Sequence, residues 1–379
     1  MSAIFSRKNA GVFARWWWTI DRWILSSILI LVVIGILLSF SSTPSVATRL
    51  NLEPFYFVKR HIALTPIALI FMICVSFSNS LQVRRLATLI FGIGIVLLFL
   101  TPLIGYEIKG AKRWINFFGF SIQISEIIKP VFAVFSAWMI SEQIKDVTFP
   151  GIVLSLAGLV ITVVFLLLQP DMGMTFVMIM TWGVQIFTAG LPLVIIFIFG
   201  VLILLGGVLS YFVFPHFQTR INQFLGSASM DVNSDLYQIK KSLSAFSSGG
   251  IWGRGPGEGV IKRYVPDAHA DFVFSVVGEE FGFVLCFIIV AMFCVIMGRS
   301  LIKSIQENSI FVIMATSGLI MQLCIQAFVN IASTLHMIPT KGMTLPFISY
   351  GGSSMISTAL TMGILLSLTK KKIGETYIF

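Results

Sequence analysis

The sequence predicts an all-α polytopic membrane protein of about ten transmembrane helices, with one long outward-facing loop between the seventh and the eighth. Three observations predict it. Hydrophobic residues make up 57% of the 379 residues and charged residues 11%, too few charges to cover a soluble globule of this size. Apolar runs close to the roughly 20 residues of a helical span follow one another along the chain, and the alternating pattern of an outer-membrane barrel is absent. Between residues 215 and 270 that series stops, and the stretch from Tyr237 to Gly282 is polar, punctuated by glycine and rich in Lys and Arg.

Taken in order, residues 1–23 form a basic head in which Arg7, Lys8, Arg15 and Arg22 alternate with Trp16, Trp17, Trp18 and Trp23, the composition of an interfacial anchor. The apolar run from Ile24 to Phe40 is too long for a signal-peptide core and reads as a retained first helix. Spans are expected at about 24–43, 61–78, 87–104, 126–141, 151–168, 173–190, 193–214, 271–298, 309–334 and 347–369, in one transmembrane domain of 24–369 that includes the loop 215–270; residues 370–379 form a basic tail. Ten spans put both ends on one side. Twelve Lys or Arg residues lie in loops on that side against seven in the short loops opposite, which makes both termini cytoplasmic and the long loop external. The basic residues sit in short loops, where orientation and anionic headgroups account for them, so the net charge of +10 does not argue for nucleic acid. Cys74, Cys286, Cys294 and Cys324 lie in apolar runs without CxxC spacing and read as core residues, neither disulfides nor metal ligands.

Four motifs stand out against this background. The first is Gly110-Ala111-Lys112-Arg113-Trp114-Ile115, followed by Gln123, Ser125, Glu126 and Lys129; the second is Gln169-Pro170-Asp171-Met172-Gly173. The third runs from Tyr237 through Ser248-Gly249-Gly250 and Pro266-Asp267-Ala268-His269 to Asp271, Glu279, Glu280 and Gly282. The fourth is Pro339-Thr340-Lys341-Gly342-Met343-Thr344-Leu345-Pro346-Phe347-Ile348-Ser349-Tyr350-Gly351-Gly352-Ser353-Ser354. Together they resemble the bacterial SEDS family (shape, elongation, division and sporulation), with Lys109, Ile124 and Asp267 where the family has Asn, Pro and Glu. Thr340-Lys341-Gly342 followed by Thr344 is more similar to the division branch than to the elongation branch. The resemblance implies a peptidoglycan glycosyltransferase that polymerises lipid II at the outer face of the cytoplasmic membrane, at the septum, beside a class B penicillin-binding transpeptidase and other division proteins.

The chemistry suits these residues. With a lipid pyrophosphate sugar as donor, an acceptor hydroxyl attacks the anomeric carbon with inversion, which needs a base at the hydroxyl and cations at the departing pyrophosphate. Asp271 is the candidate base; without the family it reads equally as a helix N-terminal carboxylate. Neighbouring cations would weaken it as a base and burial would strengthen it. His269, with an ordinary pKa of about 6.5, is the second candidate base or a substrate-contacting neighbour. Arg113 and Lys129 match the family's cations, with Lys112, Lys262 and Lys341 as further candidates to bind pyrophosphate; Lys129 could equally snorkel to headgroups. Glu126, Asp171, Glu279 and Glu280 lie at or within span ends, where an unpaired lipid-facing carboxylate is costly. For Asp171 the reading is a helix start or an ion pair with Lys129 or Arg113, and for Glu279 and Glu280 a polar cavity wall rather than a metal site. No cofactor is required; a divalent cation at the pyrophosphate is the one addition left open. Gly253, Gly255 and Gly257 lack the strand context of a dinucleotide site, and the residues 350–354 lack a Ser-His-Asp arrangement. Two other functions compete: a lipid II flippase, suggested by buried acids and Pro-interrupted segments, and a non-catalytic scaffold of the division machinery.

Overall fold

The computed structural model describes residues 11–108, 111–117, 120–190, 193–225, 235–339 and 342–371. A helix lies on each of the ten apolar stretches: α2 (Arg22–Ser42), α4 (Tyr56–Ser76), α5 (Ser80–Ile104), α6 (Ile124–Lys145), α7 (Gly151–Leu168), α8 (Met172–Thr188), α9 (Leu193–Val213), α12 (Val273–Ile305), α13 (Ile310–Thr334) and α14 (Gly352–Leu368). Between them lie the short helices α1 (Val12–Thr19), α3 (Pro44–Arg49), α10 (Pro215–Phe224) and α11 (Asp235–Gly249). Among the described residues, seven helices are long and apolar enough to cross a membrane; α8 and α14 are apolar but only 17 residues long. Helices α6, α13 and α14 bury most of their residues and form the centre of the bundle, while α4, α5 and α7 turn large apolar side chains such as Ile70, Leu89 and Val153 outward.

Three features depart from the sequence expectation. Between α5 and α6 the chain is not a plain loop but a three-stranded antiparallel sheet, β1 (Tyr106–Ile108), β2 (Ala111–Phe117) and β3 (Phe120–Gln123), with Trp114 opposite Gln123 and Glu107 opposite Lys112. The alternation of aromatic or aliphatic residues with polar ones in β1 and β3 is the period-two pattern of a half-buried strand, which β2 breaks at Arg113-Trp114. The stretch 215–270 is likewise more ordered than a loop, holding α10, α11 and a 3₁₀ turn at Ile261–Tyr264. Finally, the span expected at 271–298 is two helices: Gly282, at φ 71° and ψ −166°, breaks α12.

Backbone groups on both sides of that break find partners. The glycine-rich turn after α11 donates from Arg254 N to Glu279 O (3.0 Å) and from Gly255 N to Glu280 O (2.9 Å), filling the last carbonyls before the break. Beyond it, Phe283 N donates to Gly250 O (3.0 Å) and Val284 N to Ile251 O (3.3 Å). Helix ends hidden from water need such partners. Two of the three prolines inside the described helices are handled in the same way. Pro102 cannot donate to Leu98 O, and the Gln169 side chain does so instead (3.0 Å); Pro130 cannot donate to Glu126 O, and Ser357 Oγ takes that place (2.6 Å).

At the opposite end Asp21 accepts from Trp23 N and Ile24 N to cap α2 and pairs with Arg299 at the far end of α12 (2.8 Å). Lys371 N donates to Thr19 O (2.9 Å), so the two ends of the described chain share one face.

Only glycine tolerates the backbone at Gly282, where an added Cβ would lie 2.3 Å from Ile251 O. Gly282→Ala is expected to cost at least about 3 kcal/mol, the sum of backbone strain and displacement of this turn, read as a large drop in the thermal unfolding midpoint in detergent.

Candidate active site

The segment from Val265 to Phe272 carries Asp271 to the start of α12, and apolar residues at its two ends seat it. Val265, Ala268 and Phe272 are buried against Val46 and Val276, with Phe57 alongside. Its carbonyls are then gripped one after another. Arg49 Nη2 donates to Val265 O (2.8 Å) and Pro266 O (2.9 Å). Tyr350 N donates to His269 O (2.9 Å), Ser349 Oγ to Ala270 O (2.6 Å), and Asn330 Nδ2 to Asp271 O (2.9 Å). The same Asn330 amide donates to Met343 O (2.6 Å), so α13 holds both the Asp271 segment and the chain leading into α14.

The Asp271 side chain is half-buried and faces Gly342: a Cβ added at Gly342 would sit 3.5 Å from Asp271 Oδ2, and the φ of 62° there also favours glycine. The His269 ring packs against Phe57 (5.1 Å between centroids) and Tyr350 (5.7 Å), which also meet each other at 5.1 Å.

A second cluster lies along the same helix. Gln322, Gln326 and Asn330 recur every four residues on α13 and share one face. Gln322 Nε2 donates to Lys129 O (2.7 Å), and Gln326 Oε1 accepts from Lys129 Nζ (2.8 Å) while its Nε2 donates to Thr344 O (3.1 Å). Lys129 and Glu126, both almost wholly buried, form an ion pair at 2.7 Å. The Thr344 and Ser354 hydroxyls meet at 2.5 Å beside Gln326.

The remaining expected site residues fall into two groups. On β2, Lys112 is exposed, whereas Arg113 donates from Nε to Gln169 O (2.9 Å) and from Nη2 to Pro170 O (2.7 Å). Asp171 caps α8 through Met174 N (3.2 Å) and accepts from Gln123 Nε2 (3.3 Å). The partner of Lys129 is thus Glu126, one turn away, rather than Asp171, and Arg113 grips the carbonyls preceding Asp171. Glu279 and Glu280 are wholly buried and do not form an open wall. Glu279 accepts from Val260 N (2.7 Å), Ile261 N (2.7 Å) and Lys262 N (2.8 Å); Glu280 pairs with the buried Lys262 ammonium, which also donates to Ser41 Oγ (2.9 Å). Lys341 lies outside the described residues. Among the described residues no group of three or more His, Cys, Asp and Glu is placed to hold a metal ion.

The first two motifs therefore meet at Arg113 and Asp171, and the third and fourth meet at Asn330 and Ser349. Residues 22–373 match the family model for cell cycle proteins of the FtsW, RodA and SpoVE type. The chain belongs to this family. Among relatives of the family, a protein of Caulobacter vibrioides named probable peptidoglycan glycosyltransferase FtsW is 39% identical over 98% of this chain and 94% of its own length. One of the same name from Coxiella burnetii is 32% identical over 93% and 96%. In fold, the chain is similar to a component of a peptidoglycan synthase complex that coordinates polymerization and crosslinking (TM-score 0.74, 24% identity, 92% of this chain and 97% of that one). The Thermus thermophilus rod shape determining protein RodA superposes with a TM-score of 0.64 at 24% identity, over 93% and 97%.

Asn330, Gln326, Gln322 and Arg49 were not among the residues singled out from sequence, whereas Ser349 was named only as part of the fourth motif. The one readable signal, for the three residues of α13, was amides at four-residue intervals in an apolar helix. Asn330→Ala is expected to remove the donor from two buried carbonyls and to cost about 2–4 kcal/mol, measured by denaturant titration in detergent. Lys262→Met leaves Glu280 buried without its ion-pair partner and is expected to cost about 3–5 kcal/mol, most of which the double variant with Glu280→Leu should recover.

Proposed function

We propose that this chain is a peptidoglycan glycosyltransferase that polymerises lipid II at the outer face of the cytoplasmic membrane during septal wall synthesis. The names of its relatives and the four motifs support the reading. The observation that carries it is a half-exposed carboxylate, Asp271, held through its own backbone and facing a glycine that leaves room for a ligand. In this reaction Asp271 takes the proton of the acceptor's sugar hydroxyl as its oxygen bonds to the donor's anomeric carbon. The bond from that carbon to the pyrophosphate oxygen breaks with its electron pair, and configuration inverts. His269, within the same segment and packed against the Phe57 and Tyr350 rings, is the alternative base.

Charge compensation at the pyrophosphate falls to Lys112, exposed on β2, to Lys341, and to the guanidinium donors of Arg113 that its two carbonyl partners leave over. Lys129, engaged by Glu126 and Gln326, acts by fixing α6 against α13 and by its field at the site. Lys262, tied to Glu280, supports the 3₁₀ turn from below. Both termini are cytoplasmic in this reading, in keeping with the face shared by the two ends of the described chain, and a class B penicillin-binding transpeptidase is the working partner, with the other division proteins around it.

The test is polymerisation of lipid II by the full chain with its transpeptidase partner in lipid vesicles. Asp271→Asn should lower the rate by at least about a hundredfold, the scale of a lost general base, with an unchanged unfolding midpoint. Full activity in that variant contradicts the mechanism, and lipid translocation without glycan growth by the native chain would favour the flippase.

A further inference from the structure

An open cleft of about 550 Å³ lies between the end of α2, α3 and the turn 257–263, and Arg49 in its wall joins it to the Val265–Phe272 segment. Its polar wall carries Arg49, Arg263 and Lys262, and Phe40 and Pro44 form its apolar lip. The charge balance is one-sided. Lys262 is neutralised by Glu280 beneath it, but Arg263 is exposed with no acidic partner among the described residues, and Arg49 spends only Nη2 on the Val265 and Pro266 carbonyls. Two guanidinium groups therefore face the opening, with planar donor sets suited to phosphate oxygens.

Below the lip, α2 continues the cleft as a row of exposed apolar side chains: Leu29, Val33, Leu37 and Phe40. At 1.5 Å per residue the row is about 16 Å long, close to the thickness of one leaflet. A cationic recess above a leaflet-long apolar track fits an amphiphile with an anionic head.

We propose that this cleft binds the phosphate group of a membrane lipid, whose chain lies along α2, at a place separate from the Asp271 face. The ligand's source is either an anionic phospholipid or a polyprenyl phosphate; both present the same phosphate chemistry, and the site does not depend on the glycosyltransferase reading. The experiment places a photoreactive benzoylphenylalanine at Phe40 in the full chain, reconstituted in nanodiscs of phosphatidylcholine with either phosphatidylglycerol or polyprenyl phosphate at equal low fraction. The cross-linked lipid is identified by mass spectrometry. The expected result is enrichment of one phosphate-bearing lipid by at least about fivefold over its fraction in the bilayer, and loss of that enrichment in Arg263→Glu and, more weakly, in Arg263→Gln. Enrichment of phosphatidylglycerol assigns the site to phospholipid, and of polyprenyl phosphate to the isoprenoid carrier. Cross-linking in proportion to bilayer composition, or enrichment unchanged in both Arg263 variants while the protein elutes as the native species, overturns the proposal.

Discussion

The Asn330 side chain, one amide with two hydrogens, is the point through which the candidate site is joined to the bundle. It donates at once to the carbonyls of Asp271 and Met343, so two segments 72 residues apart in sequence share a donor buried in α13. In a water-poor interior an unmade bond of this kind costs close to the full desolvation of the group, so the arrangement discriminates sharply between one geometry and its neighbours. Ser349 extends the grip by accepting from Leu345 N while donating to Ala270 O. The turn between them carries Phe347, buried and at a positive φ of 62°, a strained conformation of the kind that persists where surroundings over-determine it.

The same rule organises regions far from Asp271. Gln169 and Ser357 fill the carbonyls that Pro102 and Pro130 leave open, and in doing so tie α5 to the α7–α8 turn and α6 to α14. Gln185 donates to Ala133 O and Met314 O, joining α8 to α6 and α13. Polar side chains in this bundle serve as cross-links between backbones, and in the buried Glu126–Lys129 pair the ammonium donates a further bond to Gln326 Oε1.

How much of this was legible in the sequence follows from range. The apolar stretches were readable because hydropathy is local, and a helix occupies each of them. The motif residues could be picked out individually, but the partners could not: Glu280 meets Lys262 and Arg113 meets Gln169 only because the chain turns back on itself. The sheet at 106–123 was hidden by its brevity between two long spans, and the break at Gly282 by the apolar residues on both sides of it. Gly253 and its neighbours, which imitate a dinucleotide fingerprint, prove to be where the turn touches α12; a Cβ at Gly253 would lie 2.2 Å from Glu280 O.

The account rests on Asp271 being held in place rather than carried on a mobile loop. Hydrogen–deuterium exchange of the full chain in a bilayer measures this directly. The amides of Ala270 and Phe272, which donate to Asp267 O (3.1 and 3.2 Å), should be protected to nearly the level of α13, because opening them requires releasing the Asn330, Ser349 and Tyr350 contacts that hold the segment's carbonyls. Exchange there as fast as in an unstructured segment would mean that the carboxylate has no fixed position, and would contradict the account.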